Sequence, residues 1–132
     1  MRLEIPGSGQ RTLHGIISRI TQQRRVQSSR QGIHLIRYRL EMVPTAWLLT
    51  RRFQTRMFQY LSVPDILKQV LEAEWALEVD YRIQQRFDPR VRCVQYRETD
   101  FDFISRLMEE EGIHSFFEHR KEGARVVLSD PG

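Results

Sequence analysis

The chain has 132 residues, 21 basic and 17 acidic side chains, a net charge of +4, 40% hydrophobic residues and a single cysteine. That length accommodates one domain or a fragment of one, with enough chain to bury a hydrophobic core. The lone Cys93 excludes an internal disulfide framework. No apolar run approaches the roughly 20 residues that span a bilayer, and the opening MRLEIPGSGQRTLHG lacks the apolar core of a secretory signal. Synthesis in the cytoplasm, with no signal peptide and no transmembrane segment, is the expectation.

Charge is unevenly spread. Residues 1–60 carry eleven arginines against Glu4 and Glu41, whereas residues 61–132 carry ten basic and fifteen acidic side chains. Arginine favours planar, two-pronged contacts with carboxylates. The two halves are therefore expected to neutralise each other, within the fold or between subunits. The competing reading is a basic face for nucleic acid.

In chain order, His14 to Ile20 reads as a strand, followed by the polar TQQRRVQSSRQG as an exposed loop or hairpin tip. Ile33 to Met42 alternates: Ile36, Tyr38, Leu40 and Met42 share one face, Arg37, Arg39 and Glu41 the other. That is the pattern of a half-buried antiparallel strand. Pro44 punctuates it, and Ala46 to Leu49 opens a short apolar segment. Ser62 starts a helix with Pro64 and Asp65 in its first turn. Val63, Ile66, Leu67, Val70 and Leu71 give it one buried face, and it should fade near Glu74 or Trp75.

Leu77 to Tyr81 reads as a strand, Asp88-Pro89 as a turn, and Val91 to Tyr96 as a further strand. A second helix follows over 99–111, with Thr99 as N-cap and Asp102 completing a capping-box pattern. Phe103, Ile104, Leu107 and Met108 form its apolar stripe. Asp102 and Arg106 stand four apart in the favourable order for a surface pair, and Gly112 supplies a left-handed stop. Ser115 to Glu118 and Arg125 to Leu128 make a hairpin across Arg120 to Gly123. The fold class is α+β: antiparallel strands, forming a partial β-barrel, flank two short amphipathic helices over 62–75 and 99–111.

No residue pattern points to catalysis. Glu109, Glu110 and Glu111 are adjacent on a helix, so they diverge rather than converge on one site. Three carboxylates at the negative end of a helix are locally unfavourable and call for arginine partners. His14, His34, His114 and His119 are scattered, which does not suit a metal site. Cys93 lacks a nucleophile motif and reads as a buried, inert thiol. Arg24, Arg25, Arg30, Arg37, Arg39, Arg51 and Arg52 could form a basic surface with Tyr38 and Trp47 as stacking platforms. Tyr38, however, falls on the apolar face of its strand, and Trp47 in the apolar run AWLL. The expectation is a non-enzyme with no cofactor, metal or small-molecule substrate.

The wording of two segments adds a resemblance. Tyr96 to Glu110, within CVQYRETDFDFISRLMEEEGIHSFFEH, is similar to the pattern YRETDFxFxSRLMEEEGIxYFFEH of the hub-like region of the valine-glycine repeat protein G (VgrG) family, the spike proteins of bacterial type VI secretion. A second block agrees: Tyr38-Arg39-Leu40-Glu41, Pro44, Trp47-Leu48-Leu49, Phe58-Gln59 and Ser62-Val63-Pro64-Asp65-Ile66. Two long motifs in order are far more specific than one short pattern. Tyr60-Leu61 and His114-Ser115 depart from the family's usual residues. The resemblance runs from about His14-Gly15 to Asp130.

It implies a single partial hub-like domain over 1–132, similar to a phage baseplate hub and to late control protein D. The strands before it, the rest of the hub, the small barrel and the β-helical needle are expected to be missing. It further implies a homotrimer in the full-length protein that docks on the tube of hexameric Hcp, supports membrane puncture and carries effector proteins. Assembly in the bacterial cytoplasm followed by export is implied too. Fold and assembly roles are implied for Tyr38, Leu40, Pro44, Trp47, Phe58, Pro64, Asp65, Ile66, Tyr96, Arg97, Glu98, Asp100, Phe103, Arg106, Glu109, Glu110 and Gly112. The alternatives are a basic nucleic-acid-binding module or a truncated fragment without independent activity.

Overall fold

A computed structural model describes residues 2–5, 7, 9–24, 26, 27 and 34–132; Arg25, Arg30 and Ile33 of the readings above lie outside them. A short hairpin opens the chain, β1 (Arg2–Ile5) against β2 (Gly9–Thr12). β3 (Ile16–Gln22) then pairs antiparallel with β6 (Tyr38–Val43), and the short β4 (Val26–Gln27) and β5 (His34–Leu35) pair between them. The strand expected over 33–42 is thus two strands, broken at Ile36 and Arg37. Gly15 enters β3 so close to β6 that a Cβ would sit 2.5 Å from the Val43 carbonyl oxygen.

Alternation in β6 correctly separates Tyr38, Leu40 and Met42 from Arg39 and Glu41. Yet the apolar face is not covered: Ile20 is 63%, Tyr38 56% and Leu40 53% exposed. Period-2 alternation reports that a strand has two unlike faces; it does not report what packs on either. The register also shifts between Ile17 and Arg19. This bulge lets Ile17, opposite Met42, share a face with Ile20, opposite Leu40, despite their odd spacing.

Pro44 caps a 3-10 helix, Thr45–Arg51, which contains the short apolar segment Ala46 to Leu49. Trp47 N–H donates to the Pro44 carbonyl at 2.9 Å, closing the first turn. β7 (Phe53–Phe58) pairs antiparallel with β9 (Cys93–Thr99), which begins and ends later than the strand expected over Val91 to Tyr96. Their register shifts opposite Thr55, where Arg97 takes φ +48° and donates its N–H to Thr55 Oγ1 at 3.1 Å.

The helix at Ser62 has the expected start. The Ser62 side chain accepts from Asp65 N–H, and Asp65 Oδ2 accepts from Ser62 N–H at 3.2 Å, a complete capping box. It remains α-helical only over α1 (Val63–Lys68) and widens to a π-helical turn over Gln69–Glu74 before Trp75. α2 (Asp100–Glu111) has the Thr99 half of its box, with Asp102 N–H donating to Thr99 Oγ1 at 3.0 Å, and ends at Gly112 with φ +68°. Its expected surface pair is not made: Arg106 turns from Asp102 to Glu98 and Glu110.

β10 (His114–His119) and β11 (Ala124–Ser129) form the expected hairpin. β8 (Val79–Arg82), starting two residues after the expected Leu77, adds to β11 in parallel. Residues 83–89, with Asp88-Pro89, are irregular.

The core lies between the helices and the two sheets behind them. Ile66, Leu67, Val70 and Leu71 of the first helical segment meet Phe103, Ile104, Leu107 and Met108 of α2, with Leu128 from β11. Phe58 stacks on Phe103 with ring centroids 5.7 Å apart. Each fully buried side chain of this size contributes about 1.5–3 kcal/mol. The α2 stripe is therefore the main fastening between the helical layer and the sheets. Among the described residues the strands form five small sheets and no closed barrel, so the fold is α+β.

Candidate functional site

Asp100 sits at the junction of β9 and α2 and is completely buried. An isolated carboxylate there would be very costly, and four side chains are its partners. Arg52, where the 3-10 helix passes into β7, donates Nε to Asp100 Oδ2 at 2.6 Å. Trp75, at the end of the π turn, donates Nε1 to the same oxygen at 2.9 Å. Gln95 of β9 donates Nε2 to Oδ1 at 2.8 Å, and Arg56 Nη2 of β7 lies 3.4 Å from Oδ1. Glu74 pairs with both Arg52 and Arg56. The guanidinium of Arg52 also lies 4.7 Å over the Trp75 ring.

Two arginines and two carboxylates make a locally neutral cluster. Burial pushes the Asp100 carboxyl up, but hydrogen bonds from Gln95, Trp75 and Arg52, together with the Arg52 charge, outweigh it and hold the carboxyl below the ordinary carboxylate range. The cluster ties β7, β9, the π turn and α2 at one point. Of its members Asp100 is a motif residue, and Arg52 stands in the sequence only among the arginines of a possible basic surface, not as its partner. Arg52 and Arg56 carried a usable signal, because alternation along β7 puts them on the same face as the buried Phe58. Glu74, Trp75 and Gln95 carried none that is local.

A second cluster answers the acidic end of α2. Arg90 bonds Glu110 at 2.7 Å and Glu111 at 2.5 Å, and Arg106 bonds Glu98 at 2.7 Å and Glu110 at 3.3 Å. These contacts, the Arg90 hydrogen bond foremost, hold the Glu110 carboxyl below its ordinary range despite some burial. Glu98 reaches Arg106 because the Arg97 bulge puts Glu98, not Arg97, opposite the inward Gln54. A third cluster on the three-stranded sheet joins Arg82 and Arg125 to Asp80 and Glu118. Among the described residues it is the Asp100 cluster, through Arg52 and Arg56, that joins the arginine-rich half to the acidic one; the other two clusters are internal to residues 61–132.

The histidines meet differently from expectation. His14 N–H donates to His119 Nδ1 at 3.0 Å, and His14 Nε2 donates to the Arg120 carbonyl at 2.6 Å, with the two rings stacked. This clasp ties the root of the β3–β6 ribbon to the β10–β11 hairpin. No group of three or more His, Cys, Asp or Glu suited to a metal ion occurs among the described residues. Cys93 is buried, and burial raises its thiol, so it is poorly set up as a nucleophile.

The remaining motif residues fall into two groups. Phe58, Ile66 and Phe103 are buried core, Pro64 and Asp65 build the cap of α1, and Gly112 ends α2. Tyr38, Leu40, Tyr96, Arg97 and Glu109 are exposed. Trp47 is half-buried with the Arg51 guanidinium 5.6 Å over its ring. Tyr38 is therefore a surface side chain rather than a core one. β7 and β9 likewise turn Phe53, Met57, Val94 and Tyr96 outward. One buried and two more exposed ion clusters, capped helices and exposed apolar ribbons make a cross-tied scaffold with surfaces available for contact.

Comparison with known proteins agrees along the whole chain. The phage tail baseplate hub (GPD) family model matches residues 1–132, taking in the N-terminal hairpin that the two motifs leave out. The type VI secretion system spike proteins VgrG1c and VgrG1a of Pseudomonas aeruginosa are 41% and 42% identical over 130 residues. That alignment is 98% of this chain but only 17% and 19% of those proteins. The actin cross-linking toxin VgrG1 of Vibrio cholerae is 33% identical over 118 residues, 89% of this chain and 10% of the toxin. Among solved structures, the Escherichia coli protein c3393 superposes with a TM-score of 0.81 at 27% identity, covering 98% of this chain and 35% of that one. It is described as a component of the type VI secretion system with structural similarity to the T4 bacteriophage tail proteins gp27 and gp5. The chain spans less than a fifth of the length of these curated relatives.

Proposed function

Because this chain belongs to the phage tail baseplate hub (GPD) family, we propose that it is a hub segment of a type VI secretion spike. In this reading residues 1–132 act as one partial hub-like domain. It assembles as a homotrimer within the complete spike, seats the spike on the Hcp tube and transmits thrust while the needle and any effector cargo cross the target membrane. The role is mechanical and turns over no substrate. Assembly in the bacterial cytoplasm followed by export through the system belongs to the same reading; no helix among the described residues is long and apolar enough to cross a membrane.

The observation that carries the proposal is the match to spike proteins along nearly the full chain. The structure supports it in kind. A part that bears load needs elements cross-tied by strong, short-range contacts, as the Asp100 cluster provides. It also needs apolar surface left over for neighbours, as the two ribbons provide. The motif residues divide accordingly: Phe58, Ile66, Asp100, Phe103 and Gly112 hold the scaffold, and Tyr38, Leu40, Tyr96 and Arg97 face partners.

The test is replacement. The chain is substituted for the matching segment of the VgrG1a spike in a strain lacking that protein, and export of the chimaeric spike to the medium is measured. Export comparable with the parent is expected. Full retention in the cell of a stable, soluble chimaera would overturn the reading.

A further inference from the structure

Apart from Arg51, which lies over the Trp47 ring on the 3-10 helix, the described arginines of the N-terminal half without an ion-pair partner, Arg11, Arg24, Arg37 and Arg39, belong to the first hairpin, the β3–β6 ribbon and its connections. The ribbon's sole described carboxylate, Glu41, already faces Arg19 at 4.0 Å. By contrast the exposed carboxylates without an arginine, among them Asp102 and Glu109, lie on the C-terminal body. The unpaired charge of the ribbon is thus opposite in sign to that of these body carboxylates.

Shape agrees with charge. The exposed Ile20 and Leu40 are direct cross-strand partners and form one aliphatic knob at the middle of the ribbon. Between α2 and β10 the body has a pit of about 50 Å³ whose lining includes Phe101, Ser105, Met108 and Phe117. Phe101 and Phe117 remain 40% and 41% exposed at its rim. Asp102 follows Phe101 on α2, and Glu109 lies two turns further along the same helix.

We propose that the Ile20–Leu40 knob of the β3–β6 ribbon docks into the α2–β10 pit of a second copy of this chain, with ribbon arginines meeting Asp102 and Glu109. A ribbon is only two strands wide, strands being about 4.8 Å apart. Long arginine side chains rooted on its back or in its connections reach past its open edges. Packing two ribbons face to face would instead crowd like charges, which disfavours the symmetric pairing. The contact is head-to-tail and leaves a knob free at one end and a pit free at the other, so repetition either closes a ring or extends. This rests on the reading of the chain as a multi-copy hub part, and it specifies which surfaces meet.

Directed cross-linking tests it without requiring tight binding. Leu40→Cys and Ser105→Cys chains are prepared separately, mixed in equal amounts and oxidised, with the native Cys93 buried and slow to react. The mixed disulfide is expected to form at least about 10-fold faster than either homodimer, because effective concentration favours apposed thiols. Equal rates, or a dominant Leu40→Cys homodimer, would overturn the proposal. As a second measurement, Arg37→Glu with Arg39→Glu should slow the mixed disulfide about 10-fold, and adding Asp102→Arg with Glu109→Arg to the other chain should restore it. Slowing without restoration would also overturn it. A chimaeric spike that is still exported after either negative result shows that the ribbon contact fails while the hub reading stands.

Discussion

Replacing Asp100 with asparagine keeps the shape of the side chain and removes its charge. Asp100 is fully buried and accepts hydrogen bonds from Arg52, Trp75 and Gln95, with Arg56 close by. Without the carboxylate, Glu74 alone opposes two guanidinium groups. Breaking a buried ion pair from one side costs about 3–5 kcal/mol. The side chains of Arg52 and Arg56 keep 37% and 20% of their surface in water, so partial resolvation places the cost near the lower end, about 3 kcal/mol. With a urea slope of about 1.5 kcal/mol/M for a chain of this size, the unfolding midpoint should fall by about 2 M. The loss is a large share of the roughly 5–15 kcal/mol of a typical domain.

The pH dependence is fixed by the same geometry. Because the folded-state carboxyl is held below its ordinary range, its stabilisation is fully present above about pH 4, where the unfolded carboxyl is also ionised. It is lost as pH falls through the lower folded-state value. Wild type and Asp100→Asn should therefore differ most near neutrality and converge in acid. A midpoint shift below about 0.5 M, or a difference that does not shrink in acid, would refute the cluster as the cross-tie of the fold.

Leu107→Ala removes a completely buried member of the α2 stripe and should cost about 2–5 kcal/mol in denaturant unfolding; a change within error would mean that the stripe does not fasten α2. Gly112 has φ +68° with no atom near an added Cβ, so Gly112→Ala should cost about 1 kcal/mol through backbone strain alone, and Gly112→Asn less. Equal effects of the two would point to a contact instead. Duplex DNA binding through Arg24, Arg37 and Arg39 should be weak, independent of sequence and abolished by about 0.15 M salt. Submicromolar binding that persists there would favour the nucleic-acid reading.

The elements legible in sequence were those built from local contacts. Ser62 with Asp65, the stripe from Phe103 to Met108 and the stop at Gly112 need only a few neighbouring residues and stand where the spacing puts them, while of the Thr99–Asp102 box only the Thr99 half forms. What was not legible depends on distant partners. Asp100 looks like an ordinary acidic residue at a helix start, and only folding brings it to Arg52, 48 positions away. Met42 and Tyr38 carry a clear apolar phase, but the phase cannot name the partner. The same holds for the parallel pairing of β8 with β11, where strand type is local and the neighbour is not. The π turn over Gln69–Glu74 replaces a helix end that propensity reads as ordinary, and it delivers Glu74 and Trp75 to the cluster.

The most direct test of the hub reading is the number of chains in an assembled spike. The chimaera of the VgrG1a spike carrying residues 1–132 in place of its matching segment is purified, and its molar mass in solution is measured by light scattering. A mass of three chains, independent of concentration, is the expected result. A monodisperse, folded monomer would contradict it.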